Sequence, residues 1–157
     1  MKKLLKRLGL FALVVFVVIQ FFQSARTNPA VDPGMTLQSR VTVTPQAAAI
    51  IDRACSDCHT NETRWPWYSH VAPADFFVVG HVDHARSHMN LSELGTYEPK
   101  KAAHKLDEMC DEATERKMPL PSYLWLHRDA QFTDADIEAL CSWTKEAAAQ
   151  IKSAAAQ

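Results

Sequence analysis

The chain has 157 residues, 47 % of them apolar and 22 % charged, with a formal net charge of −1. That length suits one domain with a tail and excludes two full enzyme domains, and the mixed composition excludes a wholly disordered chain. Four glycines against 22 alanines disfavour sheets built on tight turns, so the expected fold class is all-α.

The charge is unevenly placed. Residues 1–26 carry five bases (Lys2, Lys3, Lys6, Arg7 and Arg26) and no acid. The remainder holds 12 bases against 18 acids, an acidic balance that argues against a nucleic-acid partner. After the basic head, residues 8–22 form an apolar run interrupted by Gln20. Such a run partitions into lipid with its basic flank on the cytoplasmic side, which sends the rest of the chain outward. Fifteen residues of helix span about 22 Å, short of the ~30 Å hydrocarbon core, and Leu4, Leu5 and snorkelling lysines extend it. Gln23-Ser24-Ala25 puts a large residue where a cleavage site wants a small one. Residues 1–26 are therefore read as an uncleaved signal anchor, with a cleaved periplasmic form as the alternative. Residues 27–42, containing Pro29, Pro33 and Gly34, read as a flexible linker.

Four helices are predicted in residues 43–150. Thr44 is an N-cap with Pro45 at the first helical position, and Ala47, Ile50, Ile51, Ala54, Cys55 and Cys58 recur on one face. The block Trp65-Pro66-Trp67-Tyr68 breaks the pattern. A second helix runs over residues 73–89 with Val78, Val82, Ala85 and Met89 as its stripe. A third covers residues 99–116 and buries Ala102, Ala103, Leu106, Met109, Cys110 and Ala113. Pro119 and Pro121 force an extended segment. Thr133 caps the fourth helix, whose inner face is Ile137, Leu140, Cys141, Thr144, Ala148 and Ile151. Residues 151–157 read as a flexible tail.

The chemistry lies in Cys55-Ser56-Asp57-Cys58-His59. On a helix, side chains three apart stand on one side, so two thiols there can form thioethers with the two vinyl groups along one edge of a haem. The adjacent histidine then reaches the iron as its axial ligand. Three rivals use the same cysteines: a thioredoxin-like redox pair, a zinc site, and a disulfide within the pentapeptide. The pair ends a helical pattern with no strand before it, and Cys110 and Cys141 form no second paired cluster. Covalent haem is the favoured reading. For the opposite side of the iron Met118 is the first candidate, just past the third helix and stiffened by Pro119 and Pro121. A thioether there favours ferrous iron. His81, His88 or no ligand are the alternatives.

These residues resemble the single-haem, c-type haem-binding domain family of exported bacterial proteins. The resemblance spans residues 41–145. It rests on the pentapeptide, on Asn61-Glu62-Thr63-Arg64-Trp65-Pro66-Trp67-Tyr68, on His88-Met89-Asn90-Leu91-Ser92-Glu93, and on Met118-Pro119-Leu120-Pro121-Ser122-Tyr123 with Leu126-His127 following. It implies a cytochrome c-like helical domain with one covalent haem c, Cys55 and Cys58 as attachment sites and His59 as proximal ligand. Met118 as distal ligand follows the general cytochrome c pattern. Leu94 and His70 depart from the family's commoner residues, tryptophan and asparagine or tyrosine.

His81, His84 and His88 share one side of the second helix, where a divalent metal is the functional reading and a solvated face the structural one. Cys110 and Cys141 face inward on the third and fourth helices, where an oxidising periplasm favours a disulfide over two buried thiols. The expectation is a haem domain anchored at the bacterial inner membrane and facing the periplasm. It passes single electrons to an unidentified redox partner protein, the alternative being a module that senses or binds a gas or peroxide. No nucleophile, base and oxyanion set points to an enzyme.

Overall fold

The structure, a computed structural model, describes residues 1–156. Eight α-helices and several single 3-10 turns make up the fold, and no strand occurs among the described residues. Helix α1 (Lys2–Ile19) forms where the apolar run predicts it, and none of its residues is buried by the rest of the chain. No helix among the described residues is long and apolar enough to cross a membrane. The 18 residues of α1 reach only about 27 Å, and four of them are basic. The apolar run also overshoots the helix, ending in Phe21 and Phe22.

The stretch expected to be a flexible linker is folded. A 3-10 turn at Pro33–Met35 leads into the short helix α2 (Leu37–Arg40), and Leu37 and Val41 lie in the core. Arg40 holds this segment in place by donating to the carbonyl oxygens of Gly95 and Tyr97 at 2.8 Å. A proline-containing stretch reads as a linker from composition, but two large apolar side chains at the right spacing are enough to pull it down.

Helix α3 (Pro45–Ala54) begins as the sequence predicts, with Thr44 accepting from the Ala47 N–H at 3.2 Å. It stops at Ala54, before the last two residues of the expected stripe, Cys55 and Cys58. Cys55 leaves helical geometry and starts a separate turn, α4 (Ser56–His59). The Ser56 hydroxyl donates to the Ile51 carbonyl at 3.1 Å, a local bond that competes with helix continuation. Helix α5 (Ala74–His88) buries Val79 and Val82, while Val78, Ala85 and Met89 are half-buried, so its inner face is turned from the predicted stripe.

Helices α6 (Pro99–Thr114) and α8 (Asp134–Ala154) form the main packed pair. They run antiparallel, with Asp107 near Lys152 at one end and Arg116 beside Asp134 at the other. Ala102, Ala103, Leu106, Met109 and Ala113 face Leu140, Trp143, Thr144, Ala147, Ala148 and Ile151. The alanines let the two backbones approach, and Cys110 is joined to Cys141 across them with a Cα–Cα distance of 4.9 Å. Trp143, absent from the predicted face, is buried and donates its indole N–H to the Thr42 carbonyl at 3.0 Å. Helix α8 continues into the expected flexible tail as far as Ala154, because Ile151 is only 2 % exposed and holds the last turns to the core; Gln157 of that tail lies outside the described residues. Between α6 and α8, Pro121 does not extend the chain but opens a helical turn, α7 (Pro121–Leu124), where its missing N–H costs nothing.

Candidate functional site

The Cys55–His59 pentapeptide lies at the junction of α3, α4 and the end of α5. Within α4 the N–H groups of Cys58 and His59 both donate to the Cys55 carbonyl, at 3.1 and 2.8 Å. This single closed turn keeps the two cysteines three positions apart on one curve. Both are half-buried free thiols, so the disulfide reading of the pentapeptide is not realised. Burial, the larger cause, with the neighbouring Cys58, pushes the Cys55 thiol up to about 12; burial and Asp57 push Cys58 up to about 11. A redox pair of the thioredoxin kind needs a thiol lowered toward neutrality, which is the opposite electrostatic environment.

His59 is oriented by the backbone that follows α5. Its Nδ1 lies 2.9 Å from the Met89 carbonyl oxygen, which can only accept, so Nδ1 carries the proton and Nε2 keeps its lone pair. Burial lowers the pKa of the imidazole, against the opposing effect of its hydrogen bonds to the Met89 and Ala85 carbonyls, and so favours the neutral ring. A neutral ring, fixed through one nitrogen and free at the other, is the form that ligates a metal.

A polar network holds this geometry. The Leu91 N–H donates to the His59 carbonyl at 2.7 Å, and the Asn61 N–H to Ser92 Oγ at 3.0 Å. Buried Asn90 donates through Nδ2 to Asn61 Oδ1 at 2.8 Å. Arg86 on α5 donates to the Thr60 carbonyl and to Thr63 Oγ1, each at 2.8 Å. The blocks 61–68 and 88–93 are thus the two sides of one joint. Arg86 was not singled out in the sequence, and no periodicity marks it.

On the other side, Asp57 inside the motif binds the segment that carries Met118. Tyr123 donates its hydroxyl to Asp57 Oδ2 at 2.9 Å, while Arg64 Nε donates to Oδ1 at 2.8 Å. Tyr123 stacks on His127 with ring centroids 4.1 Å apart, and His127 Nε2 lies 2.8 Å from the Tyr68 hydroxyl. Met118 itself is 36 % exposed, its N–H donating to the Glu112 carbonyl. Trp125 and Leu126, on the same segment, are also exposed. These apolar groups lack protein to pack against, which fits a flat apolar cofactor beside them. A cavity of about 450 Å³ lies behind the motif, lined by Leu37, Ile51, Ser56, Thr60 and Leu91 among others, and neither cysteine nor His59 lines it.

The histidines of α5 are not brought together. His81 Nδ1 bonds the Phe77 carbonyl at 2.7 Å and its ring packs on Phe77. His84 and His88 pair edge to face at 4.4 Å. No group of three or more His, Cys, Asp or Glu side chains among the described residues could hold a metal ion, and His84 and His88 are exposed, so the solvated face is the reading that fits these histidines.

The described residues form an all-helical fold that presents two free thiols and an oriented imidazole on one turn. The family model of the haem-binding domain matches residues 14–146, and the chain belongs to that family. No curated protein and no solved structure matches the chain. Haem is therefore its cofactor. The residues present fit it: two thiols on one turn, an imidazole held through Nδ1, and exposed apolar side chains on the segment that Tyr123 ties to the motif.

Proposed function

We propose that the protein is a c-type cytochrome domain holding one haem c covalently. Cys55 and Cys58 supply the thioether sulfurs, His59 the proximal iron ligand and Met118 the distal one. It transfers single electrons between redox partners on the periplasmic side of the bacterial inner membrane, to which α1 anchors it. The observation that carries this reading is His59, committed through Nδ1 to the Met89 carbonyl and following two free thiols on the same turn. The anchor reading rests on the apolar residues of α1, which find no partner in the chain, and on the basic residues at its start.

Haem, when bound, supplies the one-electron couple. The chain's own residues do the rest. The Met89 carbonyl orients the imidazole through Nδ1, and Asp57 through Tyr123 keeps the 118–124 segment at the motif. The acidic balance of residues 27–157 favours a partner with a basic face.

A second reading is a module that binds a gas or peroxide at a displaceable distal position. It is favoured by the exposure of Met118 on a segment between helices. The absorption spectrum of the oxidised protein decides between them. Electron transfer with Met118 ligated requires a sulfur-to-iron charge-transfer band that disappears in Met118→Ala. A high-spin spectrum in the unaltered protein supports the sensor.

A further inference from the structure

The residues that follow α1 are bound to the domain rung by rung. The Gln20 side chain donates to the Ala72 carbonyl at 3.0 Å and accepts from the Ala72 N–H at 2.9 Å. Gln23 donates to the His70 carbonyl at 3.0 Å, and the Ser24 N–H to Asp75 Oδ2 at 2.9 Å. Arg26 donates to the Ser69 carbonyl at 2.9 Å, and Asn28 to the Thr63 carbonyl at 3.0 Å. Arg86 closes the series on the Thr27 carbonyl at 2.8 Å. Asp75, which takes one rung, is fully buried. An anchor joined by a loose tether would show none of these bonds.

The order of the rungs gives a direction. The contacts move from Ala72 and Asp75, at the start of α5, to Arg86, near its end, as the chain moves away from α1. Helix α5 therefore leads away from the foot of α1, and residues 70–72 with the first turn of α5 are the parts of the domain bonded next to that foot. Two large apolar side chains on that turn, Phe76 and Phe77, are exposed, and so are Phe21 and Phe22 at the foot itself. The haem motif belongs to the opposite end, where Arg86 holds Thr60 and Met89 holds His59. The 15 residues of α5 separate the two ends by about 22 Å.

We propose that Phe21, Phe22, Phe76 and Phe77 form a rim seated in the interfacial layer of the bilayer, and that the rungs from Gln20 to Asn28 hold the haem-binding domain above it in one orientation. The proposal rests on the reading of α1 as an anchor and adds what that reading leaves open, the face turned to the lipid. Lipid is the occupant because the rim is continuous with the exposed apolar surface of α1. Aromatic rings at such a junction take the level of the headgroups. The haem site stands clear of the membrane at the far end of α5, where a partner protein meets it without entering the lipid.

The test uses the full haem-loaded chain in phosphatidylethanolamine–phosphatidylglycerol vesicles. A photoreactive benzoylphenylalanine replaces Val14, Phe77 or Glu62 in three separate samples, and lipid adducts are counted by mass spectrometry. Adducts at positions 14 and 77, with at least tenfold fewer at 62, are the expected result. Adducts at 14 with equal yields at 77 and 62 leave the anchor standing and overturn the rim. A chain that leaves the vesicles in alkaline carbonate, with no adduct at 14, overturns the anchor and the rim with it. With Gln20→Ala and Gln23→Ala together, the adduct at 77 should fall at least threefold while the chain stays with the vesicles. An unchanged adduct overturns the role of the rungs.

Discussion

The two halves of the domain are held by different means. In the half built from α3, α6 and α8, apolar side chains meet apolar side chains, and a disulfide joins the two longest helices of the domain. In the half built from residues 55–88 and 118–127, the buried side chains include Thr60, Asn61, Thr63, Ser69 and Asp75, held by named hydrogen bonds, while Trp67, Met118, Trp125 and Leu126 stand exposed. The first half is complete as protein. The second has shaped, polar-braced walls and apolar side chains with nothing to cover them. A small domain buries a limited fraction of its surface, and a cofactor counted as part of the interior makes up the difference.

The sharpest way to break this comparison is to remove what the second half holds. Cys55→Ala with Cys58→Ala should abolish covalently retained haem, read by mass spectrometry, while each single change should leave haem on one thioether. In the first half, Leu106→Ala or Leu140→Ala should cost about 2–5 kcal/mol in urea unfolding, since both are fully buried. Trp125→Ala should cost less than ~0.5 kcal/mol in the haem-free chain, because the side chain is exposed there. Equal losses at Leu106 and Trp125 without haem would erase the contrast.

Further changes sharpen it. Cys110→Ser with Cys141→Ser opens a loop of 31 residues and should cost about 3–4 kcal/mol on the chain-entropy estimate, with the haem spectrum unchanged. Tyr123→Phe removes one hydrogen bond to a carboxylate, worth about 1.5–3 kcal/mol, and should weaken the Met118 charge-transfer band before it alters the fold. Thr133→Ala removes the capping box of α8 and should cost about 1 kcal/mol. The same box sets an acid limit. Hydrogen bonds from Thr133 and then Arg53 lower Asp136 from 3.8 to about 2. Its contribution is fully present above pH 4 and is lost as pH falls toward 2. Asp136→Asn should flatten that part of the stability–pH curve.

The first half was legible in the sequence. Thr44, Pro45 and Thr133 mark helix starts by local chemistry, and the spacing of Ala102, Ala103, Leu106, Met109 and Ala113 places a face without reference to anything distant. The pentapeptide was legible for the same reason, as a local pattern. The bracing of the second half was not. Asn61 with Asn90, Asp57 with Tyr123, and Arg86 with Thr60 are pairs 26 to 66 residues apart. A polar side chain carries no periodic signal for its partner. The break at Cys55 was missed because it turns on one side-chain bond, Ser56 to the Ile51 carbonyl, that no periodicity marks, and the folding of residues 33–41 because it depends on tertiary contacts that override local propensity.

The central claim is that the motif carries haem covalently. The most direct measurement is the absorption spectrum of the full chain, produced by export beside a haem-attachment system, after denaturation and acid–acetone extraction. The result expected is a haem spectrum that stays with the polypeptide, with both thioethers accounted for in the mass. Haem that is released entirely into the solvent, leaving two alkylatable thiols at Cys55 and Cys58, would contradict the account.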